Sequence, residues 1–144
     1  MKPIGPDHPI SVKAHGGRVR VLFQGHEIAD SDDVLVLQES TYPPVFYFPP
    51  GDVEMSVLSR TTESTHCPYK GDASYFTILR DAKVVENAVW TYETPYDQMR
   101  LIAGRLAFYP QYVTFEESAG AEAPIRHVPA HDPPYADTTD PRDV

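Results

Sequence analysis

The chain has 144 residues, 41% of them hydrophobic, and carries 12 basic against 21 acidic side chains, a net charge of −9 with a pI near 5.0. That length fits one domain with its own hydrophobic core, while the acidity excludes nucleic-acid backbones and anionic membrane surfaces as partners, since both need a basic face. No apolar run approaches the roughly 18 residues of a membrane span and the first ten residues hold no apolar signal core. The single cysteine rules out an internal disulfide and any zinc site built from cysteine pairs. The expectation is a soluble, cytoplasmic domain with no cofactor and no metal.

Fifteen prolines, nine tyrosines and few long helical periodicities indicate a mainly β chain. Residues 1–10 form an N-terminal arm in which Asp7-His8-Pro9-Ile10 is placed to dock on the domain. The β domain is expected over 11–118. Residues 18–23 alternate polar and apolar, and Gln24-Gly25 turns them into a second strand from His26. Residues 33–39 are apolar enough to be covered on both faces. Residues 45–48 lie between Pro43-Pro44 and Pro49-Pro50, which limits ladder donors and predicts an edge strand or a bend. A short helix is expected at 52–58 with Asp52 as its cap, and another at 95–103 with Thr94 as N-cap and Pro95 at the first helical position. Residues 75–79 and 83–92 form the strongest hairpin signal, turning at Arg80-Asp81-Ala82. Residues 106–109 and 112–115 are expected to pair as the last two strands. From 119 to 144 the composition shifts to five prolines, five acids and two arginines, a net −3, and a mobile acidic tail is expected.

One stretch carries most of the chemistry: Thr65-His66-Cys67-Pro68-Tyr69-Lys70-Gly71-Asp72-Ala73-Ser74-Tyr75 gathers the sole cysteine, a histidine, a lysine and two tyrosines. Together with Gly5-Pro6-Asp7-His8-Pro9-Ile10, Tyr42-Pro43-Pro44-Val45-Phe46-Tyr47, Glu86-Asn87-Ala88-Val89-Trp90-Thr91-Tyr92 and Ala107-Phe108-Tyr109, it resembles the domain-of-unknown-function 427 family over roughly residues 5–117. The resemblance implies one compact, bent, antiparallel sheet domain of β-tent type, similar to methionine sulfoxide reductase B and the ligand-binding domain of cereblon. Relatives of that fold often hold zinc with two cysteine pairs; a lone Cys67 cannot. Some members bear a nucleotidyltransferase label, which no residue of this chain supports.

Proline at 68 favours an extended Cys67, so His66 and Cys67 point to opposite faces. If extension continues, His66, Pro68 and Lys70 share one side, beside the Gly71-Asp72 turn. On strand 84–92, Glu86, Ala88, Trp90 and Tyr92 share a face, which places Glu86 to pair Lys70; the opposite assignment, with Trp90 in the core, stands equally. The leading expectation is an aromatic-lined pocket for a small polar or cyclic metabolite, formed by Tyr47, His66, Lys70, Asp72, Tyr75, Glu86 and Trp90. A second is an enzyme with Cys67 as nucleophile or redox thiol and His66 as acid/base; against it stands Cys67 as a small buried hydrophobe. A third is an interaction module without a small ligand. Asp7-His8 either closes over the pocket or is an ordinary polar terminus.

Overall fold

The computed structural model describes residues 1–119 and 126–128. The chain is mainly β and antiparallel throughout its strand pairs, as expected, with its strands shared among three sheets. The elements are β1 (Ile10–Ala14), β2 (Arg18–Phe23), β3 (His26–Ser31), β4 (Leu35–Glu39), β5 (Val45–Tyr47), β6 (Leu58–Cys67), β7 (Gly71–Arg80), β8 (Lys83–Thr91), β9 (Leu106–Phe108), β10 (Thr114–Ser118) and β11 (Arg126–Val128). Their spatial orders are β1-β4-β5, β11-β10-β2-β3 and β6-β7-β8-β9. Reciprocal backbone bonds between Phe48 and Leu106, both 2.8 Å, tie the end of β5 to β9 and join the first sheet to the third. Of the expected tail, 119–144, all but Ala119 and β11 lies outside the described residues.

The two tight hairpins form where the sequence places them. Gln24 and Gly25 take φ of 53° and 81°, Asp81 and Ala82 take 50° and 64°, so both turns have the left-handed central pair that matches strand twist. β5 is an edge strand, in keeping with its flanking prolines.

Alternation divides the buried side chains between two cores. Val19, Val21, Phe23, Ile28, Phe48, Ile78, Val89, Phe108 and Phe115 belong to one. Leu37, Tyr47, Cys67, Tyr75, Trp90, Tyr92, Met99, Ile102 and Ala107 belong to the other. Strands β5, β7, β8 and β9 feed both, because neighbouring strand residues point to opposite faces.

Four expectations are corrected. The segment at 52–58 is not one helix: a 3₁₀ turn at Pro50–Asp52 ends where it was expected to begin, Val53 bridges to Ala29, and a second 3₁₀ turn spans Met55–Val57, while Asp52 caps nothing and accepts the Ser31 hydroxyl at 2.6 Å. The helix after Pro95 is 3₁₀ and begins at Asp97, with Tyr96 at its N-cap and no side-chain cap; the Tyr96 N–H is taken by Lys70 O at 2.9 Å, which holds the preceding residues to the β6–β7 hairpin. Strands β9 and β10 do not pair together: β9 completes the edge beside β8, and β10 crosses to β2. Finally, β6 is a ten-residue strand that the pattern does not announce. Its sequence LSRTTESTHC is polar and it lies at a sheet edge, so no apolar alternation is required of it.

Candidate functional site

Residues 65–75 fold as the hairpin joining β6 to β7. Cys67 pairs with Gly71, leaving Pro68, Tyr69 and Lys70 as the turn. Gly71 has φ 112°, a backbone state other residues avoid, and the position of its missing side chain lies 3.4 Å from Pro95 Cα. The turn ends the extension expected through Lys70. His66 therefore faces solvent, whereas Lys70 swings to the inner side with Cys67, and the shared side expected for His66 and Lys70 does not form.

Inside, Lys70 is 0% exposed and its Nζ lies 2.6 Å from Oε1 of Glu39, itself 2% exposed. The other carboxylate oxygen of Glu39 meets His8 Nε2 at 2.7 Å, and His8 is 15% exposed. A buried lysine is thus linked to the surface through one carboxylate and one imidazole. Glu39 is placed by the β1–β4 register, which sets it opposite Ile10 at the root of the arm. The arm is strapped down on the same side. Lys2 N–H donates to Pro68 O at 2.7 Å, and the Gln98 amide donates to Lys2 O at 2.7 Å and to Tyr69 O at 2.9 Å. The His8 ring stacks on Tyr69, centroids 4.1 Å apart and 10° from parallel. Lys70 Nζ lies 6.0 Å from the Tyr92 ring centre, within cation–π range.

Around the pair stand rings with polar tips. Trp90 Nε1–H donates to the Tyr47 hydroxyl at 3.2 Å, and the two rings meet edge-on at 6.5 Å. Tyr75 OH bonds Thr65 Oγ1 at 2.9 Å. Tyr109 packs on Trp90 at 4.7 Å and is followed outward by the exposed Tyr112 at 6.3 Å. Tyr47, Tyr75, Trp90, Tyr92 and Cys67 are all buried.

Outside, His66 Nδ1 lies 2.7 Å from Asp72 Oδ1, across the ladder, and both are well exposed. Tyr96 sets its ring edge-on to His66 at 6.2 Å. Beside them Arg60 grips Glu93 with two 2.7 Å bonds. That hydrogen bond holds the Glu93 carboxyl below the usual carboxylate range and raises the guanidinium.

The chemistry of the hairpin is thus divided between an inner buried ion pair and an outer Asp–His pair, with Cys67 and His66 on opposite faces as strand parity requires. The family model described as Domain of unknown function (DUF427) matches residues 11–119. The chain belongs to this family. No curated protein matches it.

In this DUF427 chain the expected Glu86–Lys70 pair does not form. Lys70 is held by Glu39, and Glu86 is exposed on a separate surface. Glu86 lies in the three-residue stretch of β8 that faces Thr77, where Phe76 pairs Val89 but Ile78 pairs Val85, so it sits far along β7 from Gly71 and the turn that carries Lys70. Asn87, at φ 53°, stands at the centre of this bulge. Glu39, Tyr92, Tyr69 and Gln98 are the residues that local reading missed. The one signal for Glu39 is a carboxylate ending an otherwise apolar strand, and nothing local pairs it with a lysine 31 positions on. Among the described residues no three His, Cys, Asp or Glu side chains gather to hold a metal ion, and no helix is long and apolar enough to cross a membrane.

Proposed function

We propose that the domain binds a small, flat, polar metabolite on the inner side of the 65–75 hairpin, in a soluble cytoplasmic setting, with the N-terminal arm as a movable cover. One observation carries this reading: the fully buried Lys70–Glu39 pair, reached from the surface through His8. Two charges taken out of water cost several kcal/mol each, and an apolar pair of similar volume often serves stability as well or better. An ammonium and a carboxylate side by side offer N–H donors and oxygen acceptors together, complementary to the carbonyl and N–H of a cyclic amide or a nucleobase edge. Tyr47, Tyr75 and Trp90 supply flat surfaces with polar tips at the same place. His66 and Asp72 stand on the outer face of the same hairpin, away from the buried pair.

The cover is the arm, whose ties to the hairpin and to Gln98 are a few hydrogen bonds and one ring stack. Such bonds contribute about 0.5–1.5 kcal/mol each, so lifting the arm is within reach of a ligand's binding energy. The thiol-enzyme reading is weaker, because a nucleophilic cysteine requires exposure and Cys67 has none.

Trp90 is the only tryptophan, so fluorescence reports the site directly. Titration with uracil, hydantoin, 2-pyrrolidone and uridine triphosphate is expected to give a saturable change with at least one ring amide. His8→Ala, which loosens the cover, is expected to speed association. Flat titrations with all four, in wild type and in His8→Ala, would overturn the proposal and leave the interaction-module reading in its place.

A further inference from the structure

The chain has four lysines, and three of them, Lys2, Lys13 and Lys83, are exposed. Lys70 is the buried one, at 0% exposure. A pair that only bridged two sheets would be better made with arginine, whose planar fork is weakly hydrated and stays charged in any setting. Lysine differs in one property. Out of water it yields a proton readily, and the neutral amine that remains is a nucleophile toward carbonyl carbon. Burial disfavours the charged form of an amine, and Glu39 Oε1, 2.6 Å from Nζ, stands where it can take the proton. The other carboxylate oxygen is held by His8 Nε2 at 2.7 Å, which keeps Oε1 turned to the amine.

The backbone that carries the amine is fixed from both sides. Cys67 pairs with Gly71 and closes the turn around Lys70, while Lys70 O accepts the Tyr96 N–H at 2.9 Å. Nζ lies 6.0 Å from the Tyr92 ring centre, on the side of the core that holds Tyr47, Tyr75 and Trp90. The amine is thus desolvated, aimed by its backbone and paired with a proton carrier. Those are the features that activate a lysine for imine formation.

We propose that Lys70 captures a small carbonyl compound, an aldehyde or ketone, as an imine, with Glu39 carrying the protons. The capture rests on the reading that ligands reach the inner side of the hairpin beneath the arm. The ammonium first passes a proton to Glu39 Oε1. The nitrogen lone pair then forms a C–N bond to the carbonyl carbon, and the C=O π pair moves to oxygen, which takes the proton from Glu39. The nitrogen, now cationic, returns a proton to Glu39. That proton goes on to the hydroxyl group, the C–O bond breaks, water leaves, and the nitrogen lone pair closes the C=N bond. One ammonium and one carbonyl have become one iminium and one water, with no net proton exchanged and no oxidant or reductant consumed. The iminium keeps the positive charge of Lys70 beside the Glu39 carboxylate, so the ion pair survives capture, and hydrolysis by the same steps in reverse releases the ligand.

The test is hydride trapping in the intact chain. Wild type is incubated with 5-formyluracil, benzaldehyde or cyclohexanone, each with sodium cyanoborohydride, which reduces an iminium to a stable amine, and adducts are located by peptide mass mapping. The exposed Lys2, Lys13 and Lys83 report unselective labelling in the same sample. A saturable adduct at Lys70 is expected with at least one of the three, formed roughly tenfold or more faster than at any exposed lysine, as pre-positioning of the amine demands. Lys70→Met/Glu39→Leu is expected to lose that adduct and keep the exposed background. Labelling confined to the exposed lysines, or Lys70 labelled no faster than they are, overturns the capture. Titration with uracil and hydantoin, which carry no aldehyde, separates this outcome from that of the binding proposal. A saturable Trp90 change without a Lys70 adduct removes the imine and leaves the binding reading; a Lys70 adduct with flat titrations upholds the imine and removes the preference for ring amides.

Discussion

Replacing Lys70 by methionine removes one charge from a site that offers no water to the other. Glu39 remains 2% exposed, its Oε1 stripped of the ammonium 2.6 Å away, with His8 on the opposite oxygen. Breaking a buried ion pair from one side costs about 3–5 kcal/mol, because an uncompensated charge stays behind. A domain of this size has on the order of 5–15 kcal/mol in all. With a urea slope of about 2 kcal/mol per molar, the unfolding midpoint drops by roughly 2 M. The double variant Lys70→Met/Glu39→Leu removes both charges and regains most or all of that loss, since apolar replacements of buried pairs are often neutral or stabilising by about 1–4 kcal/mol. Urea unfolding followed by Trp90 fluorescence gives all four corners of the cycle. A single-variant loss below about 1 kcal/mol, or a double variant as unstable as the sum of the singles, would refute the reasoning that the pair is buried, coupled and dispensable for folding.

Three further outcomes follow from other parts of the structure. Cys67, fully buried in the second core, reacts with iodoacetamide far more slowly than free cysteine until denaturant opens the fold; labelling at the free-thiol rate would place the sulfur at the surface. Gly17→Ala sets a Cβ 2.0 Å from the backbone oxygen of Ser118, so β10 must shift from β2 and the melting temperature falls by an amount equivalent to about 1–3 kcal/mol; an unchanged melting temperature would mean that the two strands do not approach so closely. Acid acts through Asp30 and Glu93, whose carboxyls are held below their ordinary 3.8 and 4.5 chiefly by hydrogen bonds from Arg18 and Arg60. A lowered folded-state value stabilises above the unfolded value and is lost as pH falls through the folded one. The melting temperature therefore declines below about pH 4.5, and Arg60→Met flattens that decline; identical acid slopes in the two proteins would contradict the assignment.

Local chemistry made part of this molecule legible. Gly25 and Asp81 announce their turns because few residues tolerate the left-handed backbone that a two-residue hairpin needs, and Gln24 and Ala82 take the same backbone without that preference. The divergence of His66 from Cys67 follows from the same alternation that governs any strand. What stayed hidden depends on distant partners or on broken periods. The turn at Pro68 sends Lys70 inward to Glu39, which lies on another sheet, and the bulge at Asn87 leaves Glu86 beside Thr77, far along β7 from that turn. A two-residue offset in a ladder leaves no trace in a period-two pattern. Strand β6 is invisible for another reason: it is a polar edge, held by the backbone of β7 and not by apolar burial of its own.

The central claim is that the Lys70–Glu39 pair is kept for a ligand, not for the fold. Ligand-induced thermal shift in wild type and in Lys70→Met/Glu39→Leu tests it most directly. Binding at a hundredfold excess over Kd adds about 2.7 kcal/mol of stability, so a ring amide from the panel is expected to raise the wild-type midpoint by several degrees and leave the double variant unmoved. Equal shifts in both proteins, or no shift in wild type with any member of the panel, would contradict the account.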